Sequence, residues 1–317
     1  MHAAVSLAPD RPLVWTELEP QPLATRDVRV AVRAVGVNPV DWKMREGGPL
    51  RMVQRMTGPA GALVVGVDVA GEVVEVGHQV QGLQPGDRVV GSADFSRGQR
   101  GSYATEVLVR ADQLVKLPDS IDWEVAGGLP VAGVTALLSL RELGGIDRLP
   151  GAKVLVLGAS GGVGHMAVQV ARLLGGQAFG VCSSRNAALV ASLGSEVLAY
   201  DQPDFGAQLA KAGPFQVVLD AVGTTAYPVR QARQWLAPGG RHVLVVPQPS
   251  DLPWLLTRST TTVLGNSSAE RLAPLVDWLA QGKLTVHVGQ TLPLQDAEQA
   301  HVLSRQGRTV GKLVLLA

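Results

Sequence analysis

The sequence predicts an α/β protein in which a doubly wound parallel sheet is joined to a second, β-rich domain, and three observations predict it. A glycine-rich stretch, Gly158-Ala159-Ser160-Gly161-Gly162-Val163-Gly164, follows the apolar run Val154-Leu155-Val156-Leu157 and opens a segment of helical spacing. From Trp123 onward, helix and strand patterns alternate, as βα units do. Before that, from Ala3 to about Leu117, short strands bounded by Gly and Pro turns recur at regular intervals, as in a compact barrel.

In chain order, the β-rich part reads as strands at Val28 to Val37, Ala62 to Val76, Asp87 to Gly91, Tyr103 to Val109 and Gln113 to Leu117, with one short helix at Pro49 to Met56. A helix near Val131 to Leu143 opens the alternating part. It is followed by the strand at Val154, the helix from Gly162, a strand at Ala178, a helix at Ala187 to Leu193 and a strand at Val197 to Tyr200. Val217 to Leu219, the helix Ala226 to Leu236 and the strand His242 to Val246 complete the sheet. The tail reads as helix (Leu272 to Leu279), strand (Thr285 to Val288), helix (Asp296 to Gln306) and strand (Gly311 to Leu316). Its last strand is expected to return to the N-terminal domain, which gives domains of 1–122 with 263–317 and of 123–262, with the active site in the cleft between them.

The glycine stretch is a strand, a tight turn and a helix N-terminus. Backbone N–H groups without intrahelical partners and the positive end of the helix dipole favour a pyrophosphate there. The fingerprint is A-x-G-x-x-G through Ala159, Gly161 and Gly164. Val163, Ala167, Val170 and Leu174 share one face of the helix, and Ala178 to Val181 supply the second strand. A ligand-free βα turn is the alternative; four glycines in seven residues with these flanks favour a dinucleotide.

NAD-selective sites place an acid at the end of the second strand to bond the ribose 2′-hydroxyl. Between Lys153 and Glu196 there is none, and Cys182-Ser183-Ser184-Arg185-Asn186 stands there instead. Two hydroxyls and a guanidinium suit a 2′-phosphate, so NADPH is favoured over NADH. The same residues also fit a plainer role, with a serine capping the next helix and Arg185 solvated.

Length and composition narrow the field. With 317 residues, 46% hydrophobic and 17% charged, the chain is that of a globular protein of about two domains. A net charge of +1 argues against nucleic-acid or membrane-surface partners. The start reaches Asp10 and Arg11 without an apolar signal region, and no stretch of about 20 residues is apolar enough to span a bilayer, so a cytoplasmic location is expected. A single cysteine, Cys182, excludes an intrachain disulfide and any multi-cysteine metal site.

In order and spacing, several segments together resemble the medium-chain dehydrogenase/reductase superfamily, in its zinc-independent, quinone oxidoreductase-like branch. They are Val35-Gly36-Val37-Asn38-Pro39-Val40-Asp41, Gly66-Val67-Asp68-Val69-Ala70-Gly71, Gly86-Asp87-Arg88-Val89, Ala132-Gly133-Val134-Thr135-Ala136, the glycine loop, Leu219-Asp220-Ala221-Val222-Gly223 and Gly307 to Leu313. The resemblance spans nearly the whole chain and implies a Rossmann domain plus a GroES-like barrel domain, with a homodimer as the assembly. Where the superfamily's zinc enzymes carry a cysteine and a histidine, this chain has Asn38 and Val67, so no metal site is expected.

The resemblance further implies that Asn38 and Asp41 line the nicotinamide end of the site, that Thr135 lies against the ring, that Arg185 meets the 2′-phosphate, that Tyr200 lies near the adenine ribose and that Lys312 comes near the cofactor. From their residue types alone, Asn38 and Asp41 equally fix a loop before Pro39, Thr135 is helix interior and Tyr200 strand core. Tyr103 is the one tyrosine set against the catalytic end, as proton donor or as packing. Ala159, Ser160, Gly161, Gly162, Val163 and Gly164 are the phosphate-binding residues, with Ser183 and Ser184 beside Arg185.

The expected activity is hydride addition to an enone, enal, quinone or enoyl thioester, with hydrogen bonds to the developing enolate oxygen. A dedicated enoyl-CoA reductase and a non-catalytic NADPH-binding sensor or structural protein are the alternatives. Between Lys43 and Met56 a net charge of +3 surrounds Arg51 and Arg55, which border a substrate entrance for an acyl-CoA or simply form a solvated face.

Overall fold

A computed structural model describes residues 1–9, 11–46, 63–94, 99–263 and 267–317. They form two units, Met1–Val131 with Asn266–Ala317, and Ala132–Gly265. Among the described residues no helix is long and apolar enough to cross a membrane. The short helix expected at Pro49 to Met56 lies outside the described residues.

The first unit begins with β1 (His2–Ser6), β2 (Val14–Glu17), β3 (Asp27–Val37), α1 (Pro39–Glu46), β4 (Leu63–Val64) and β5 (Asp68–Val76). It continues with β6 (Arg88–Ser92), β7 (Glu106–Arg110), β8 (Leu114–Lys116) and α2 (Trp123–Gly127). In β3, Val28, Val30 and Val32 point inward between more exposed neighbours, which is the period of a half-buried strand. From Ala34 to Val37 every residue is buried, because both faces are then covered. Gly36 makes this possible: a Cβ there would overlap the Asp68 carboxylate and stand 2.6 Å from the Gly127 carbonyl. The expected single strand at Ala62 to Val76 is broken into β4 and β5 by Gly66, whose φ of 101° only glycine adopts freely.

The second unit contains α3 (Pro130–Leu137, entering from the first unit), β9 (Lys153–Leu157), α4 (Gly164–Leu173), β10 (Gln177–Cys182), α5 (Ala187–Ser192), β11 (Glu196–Ala199), α6 (Phe205–Ala212) and β12 (Phe215–Asp220). It closes with α7 (Val229–Ala232), β13 (Leu236–Leu244), α8 (Leu252–Leu255) and β14 (Thr260–Thr262). The sheet order is β11-β10-β9-β12-β13-β14, and every pairing is parallel. The chain runs outward from β9 to β11 and then crosses back to β12. The reversal between β9 and β12 is where open α/β sheets bind ligands, at the carboxyl ends of the strands.

Two expectations are revised here. The helix drawn over Ala226 to Leu236 is cut to α7 and a 3₁₀ turn at Arg233–Trp235, because Leu236 already pairs with Phe215 in the parallel ladder. The helix expected through Leu143 is α-helical only to Leu137 and continues as a wider π turn, Leu138–Leu143.

The tail folds as α9 (Ala269–Ala280), β15 (Val288–Pro293), α10 (Ala297–Arg305) and β16 (Lys312–Leu316) in the first unit. Its strand lies at Val288–Pro293 rather than at Thr285 to Val288, since the ladder to β16 begins only at Val288↔Lys312. β16 runs antiparallel to β3, with Leu313↔Val37 and Val314↔Gly36, so the start of β16 lies beside the start of α1. Arg45 locks this arrangement. Its buried guanidinium donates to both oxygens of Glu298, at 2.6 and 3.3 Å, and to the Arg11 carbonyl at 2.6 Å, while Glu298 accepts the Leu13 N–H.

Candidate active site

In the second unit the glycine loop follows β9 as the apolar run required. Gly158 takes φ 79°, and its N–H and that of Ala159 both donate to the Val181 carbonyl, which ties the turn to β10. Gly161 N–H closes onto the Gly158 carbonyl at 2.9 Å. A Cβ on Gly164 would overlap the Gly158 carbonyl oxygen and come within 2.8 Å of the Ala159 Cα, so the helix can pack this close only with glycine there. A Cβ on Gly161, by contrast, would meet only the Gly158 carbonyl, at 3.3 Å. One glycine serves close packing and the other leaves backbone open to approach, which is the division a pyrophosphate site needs. The residues present therefore fit a dinucleotide.

Ser183, Ser184, Arg185 and Asn186 form the turn after β10. The Asn186 side-chain amide donates to Ser160 Oγ at 3.0 Å, so this turn stands against the glycine loop. Ser184 and Arg185 are exposed, Tyr200 is 53% exposed, and the Ser183 hydroxyl is buried without a hydrogen-bond partner among the described residues. At the end of β12, Asp220 Oδ1 accepts the N–H groups of Val222 and Gly223, at 2.9 and 2.7 Å, and shapes the second loop at the switch point. Thr135 is half-buried in α3, where its carbonyl accepts the Ser139 hydroxyl.

One acid stands in this region that the residue count did not locate. Asp201 Oδ1 and Oδ2 accept the Ser184 N–H at 2.9 and 3.2 Å, and Oδ2 accepts the Ser184 hydroxyl at 2.8 Å. It lies beyond Glu196 in the sequence, just past the neighbouring strand β11. The signal was the parallel register, which sets Cys182 beside Ala199 and so brings residues 183 and 201 to the same edge.

The first unit gathers Asn38, Asp41, Tyr103 and Lys312, and adds Asp68 to them. Asp41 Oδ2 accepts the Asn38 backbone N–H at 2.7 Å and the Tyr103 hydroxyl at 3.0 Å. The Asn38 amide donates to Asp68 Oδ2 at 2.8 Å, and its oxygen accepts from Lys312 Nζ at 2.7 Å. Lys312 Nζ also donates to the Val37 carbonyl and lies 3.6 Å from Asp68 Oδ2, while Asp68 Oδ1 accepts the Val131 N–H. All five side chains are buried. Lys312, placed near the cofactor by resemblance, thus turns its ammonium to Asn38 and Asp68. Gly66 lets the Tyr103 ring pack against its backbone, where any Cβ would collide. Arg51 and Arg55 lie outside the described residues.

Burial dominates the electrostatics. It raises Asp41 to about 7 and is helped by the nearby Asp68 carboxylate; the bonds from Asn38 and Tyr103 and the Lys312 charge only partly oppose it. Burial also raises Asp68 despite Lys312, Asn38 and Val131, and with Asp41 it pushes the Tyr103 phenol well above its ordinary value. Tyr103 therefore stays a donor, and Asp41 Oδ1 is the carboxyl oxygen without a partner among the described residues.

A pH dependence follows from Asp41. Between the ordinary carboxyl value, 3.8, and about 7, the folded state binds the proton more tightly than the unfolded one. Stability is therefore greatest at the acid end and falls as pH rises through this window. Asp41→Asn removes that slope. The stability of the wild type relative to the variant should shrink by roughly 2–4 kcal/mol between about pH 4 and pH 8, measured by urea unfolding. An equal gap at both pH values would show that Asp41 ionises normally.

A parallel six-stranded sheet with a dinucleotide-type loop at its switch point, together with a unit built on a mostly antiparallel β-sheet, fits an NAD(P)H-dependent oxidoreductase. Comparison with known proteins agrees. Residues 24–119 match the alcohol dehydrogenase GroES-like domain, and residues 193–315 match the zinc-binding dehydrogenase family. The chain is 32% identical over 304 residues to a chloroplast envelope quinone oxidoreductase homolog of Arabidopsis thaliana, covering 92% of this chain and 90% of that one. It is 28% identical over 332 residues to a mitochondrial NAD(P)H oxidoreductase of Bos taurus, covering 91% and 81%. The solved quinone oxidoreductase from Coxiella burnetii superposes with a TM-score of 0.86 at 28% identity, covering 100% of this chain and 98% of that one. The chain belongs to the medium-chain dehydrogenase/reductase superfamily, in its quinone oxidoreductase-like branch.

Proposed function

We propose that the protein is an NADPH-dependent, metal-free reductase that adds hydride to a quinone or to a conjugated C=C in an enone, enal or enoyl thioester. The observation that carries this is the glycine loop with its division of labour between Gly161 and Gly164, beside a turn of serines and Arg185. The quinone oxidoreductase names of the relatives support the substrate class. A homodimer in the cytoplasm is part of the same proposal.

When bound, the nicotinamide supplies hydride. Ala159, Ser160, Gly161, Gly162, Val163 and Gly164 would form the turn for the pyrophosphate, Gly164 by close packing and Gly161 by its open backbone; Thr135 would serve the ring, Tyr200 the adenine ribose, and Ser183, Ser184 and Arg185 the 2′-phosphate. Asn38, Asp41 and Tyr103 are the proposed catalytic group: Asp41, poised near neutrality, stores a proton on Oδ1, and Tyr103 fixes the other oxygen. Lys312 and Asp68 position Asn38 by taking up both ends of its amide. Metal independence is supported by residue chemistry. Val67 has no ligating atom, the Asn38 amide is hydrogen-bonded at both ends, and the Lys312 ammonium supplies the positive charge beside Asp68.

Steady-state NADPH consumption against quinones, enals and enoyl-CoAs tests the activity, with turnover of at least one class expected; tight nucleotide binding without consumption would overturn it. Arg185→Ala should weaken NADPH binding by about 1–3 kcal/mol and leave NADH nearly unchanged. Equal weakening of both would remove Arg185 from the 2′-phosphate.

A further inference from the structure

The turn that NADPH is proposed to use already grips an anion. Ser184 presents its N–H and its hydroxyl to one side, and three contacts of 2.8–3.2 Å run from them to the Asp201 carboxylate. That is how a phosphate oxygen is held, by charge-assisted bonds from a backbone amide and a hydroxyl. The grip stands beside the phosphate-binding turn, because Asn186 of the same turn is bonded to Ser160 of the glycine loop. Next to it, the Ser183 hydroxyl is buried and unpartnered among the described residues, so one donor remains for a ligand.

We propose that Asp201 is an internal competitor for the 2′-phosphate: its carboxylate occupies the Ser184 donors, a 2′-phosphorylated nucleotide must displace it, and Asp201 thereby sets the balance between NADPH and NADH. This rests on the NADPH reading above. The Ser184 hydroxyl and N–H hold the Asp201 carboxyl below the usual carboxylate range, with Arg185 adding to the effect, so the competitor is charged at neutral pH. The two occupants cannot share the grip, since both are anions and accept the same two hydrogens. A nucleotide with a 2′-hydroxyl brings no such charge and leaves Asp201 in place.

The test is calorimetric titration of the full chain with 2′,5′-ADP and with 5′-AMP, in the wild type, in Asp201→Asn and in Arg185→Ala. Asparagine keeps one acceptor oxygen for Ser184 and removes the charge together with the second acceptor. Asp201→Asn should tighten 2′,5′-ADP about tenfold and leave 5′-AMP within about twofold; the gain should shrink as salt is raised. If Arg185→Ala weakens 2′,5′-ADP but Asp201→Asn changes neither ligand, Asp201 is only a cap and the proposal falls while the NADPH reading stands. If Asp201→Asn weakens 5′-AMP and spares 2′,5′-ADP, Asp201 is a ribose acceptor and the proposal is overturned. Failure of the underlying reading has another signature: 2′,5′-ADP binds no tighter than 5′-AMP to the Asp201→Asn variant, and Arg185→Ala alters neither, which removes the subsite and the competitor with it.

Discussion

Lys312→Met is expected to destabilise the first unit by about 3–5 kcal/mol, the scale for removing one partner of a buried ion pair. The methionine fills most of the lysine's volume, so the loss comes from charge rather than from a cavity. It leaves the Asp68 carboxylate, fully buried, and the Asn38 amide oxygen without their cation. Burial already raises Asp68 against the attraction of Lys312, so without that lysine the carboxyl should protonate at still higher pH. The penalty should therefore be largest in alkaline solution and smaller in acid, where a neutral Asp68 needs no counter-ion. Lys312→Met combined with Asp68→Asn should recover a large part of the loss, because the orphaned charge is gone. Urea unfolding of the two single variants and the double variant, each at about pH 5.5 and pH 8.5, measures this. A double variant no more stable than Lys312→Met alone would show that the pair is not electrostatically coupled.

That network shows where sequence reasoning stops. Asn38 and Asp41 were legible through one of the resembling segments, and the Asn38 N–H to Asp41 bond is local, from the residue before α1 to its first turn. Asp68 stands within one of the resembling segments, but nothing local marks its charge as paired, since its partners lie 30 residues before it and at the far end of the chain. Only the antiparallel β16–β3 pairing, Leu313↔Val37, brings Lys312 to Asn38. Local pattern carries no information about such a register. The glycine loop was legible as strand, turn and helix, with the helix opening at Gly164 rather than Gly162, because the three are contiguous and glycine is required for steric reasons that leave a trace in one short stretch. The edge strand β14 left none: Thr260–Thr262 has no apolar alternation and is a strand only because it follows β13 in parallel register. Asp201 is intermediate. The strand ending at Tyr200 is legible, but which strand it neighbours decides that its acid reaches Ser184.

Substituting Gly161 or Gly164 of the phosphate loop by alanine should separate stability from binding. Gly164→Ala places a methyl against the Gly158 carbonyl and within 2.8 Å of the Ala159 Cα. Both obstacles are backbone, and Gly158 and Ala159 are fastened to the Val181 carbonyl, so neither can yield without moving β9 or α4. Overpacking of this kind costs about 1–3 kcal/mol or more, and the displaced helix start should take nucleotide affinity down by at least a hundredfold. Gly161→Ala meets only the Gly158 carbonyl, at 3.3 Å, a contact relieved by a shift of a few tenths of an ångström. Its φ is not in the left-handed region, so alanine adds no backbone strain. The second variant should unfold within about 1 kcal/mol of the wild type and still lose most of its NADPH affinity, because the new methyl stands where the pyrophosphate must approach the backbone. Thermal unfolding and calorimetric titration of both proteins read the two effects independently. A Gly161→Ala protein that binds NADPH as the wild type does would move the pyrophosphate away from this turn, and with it the assignment of every cofactor residue around the loop.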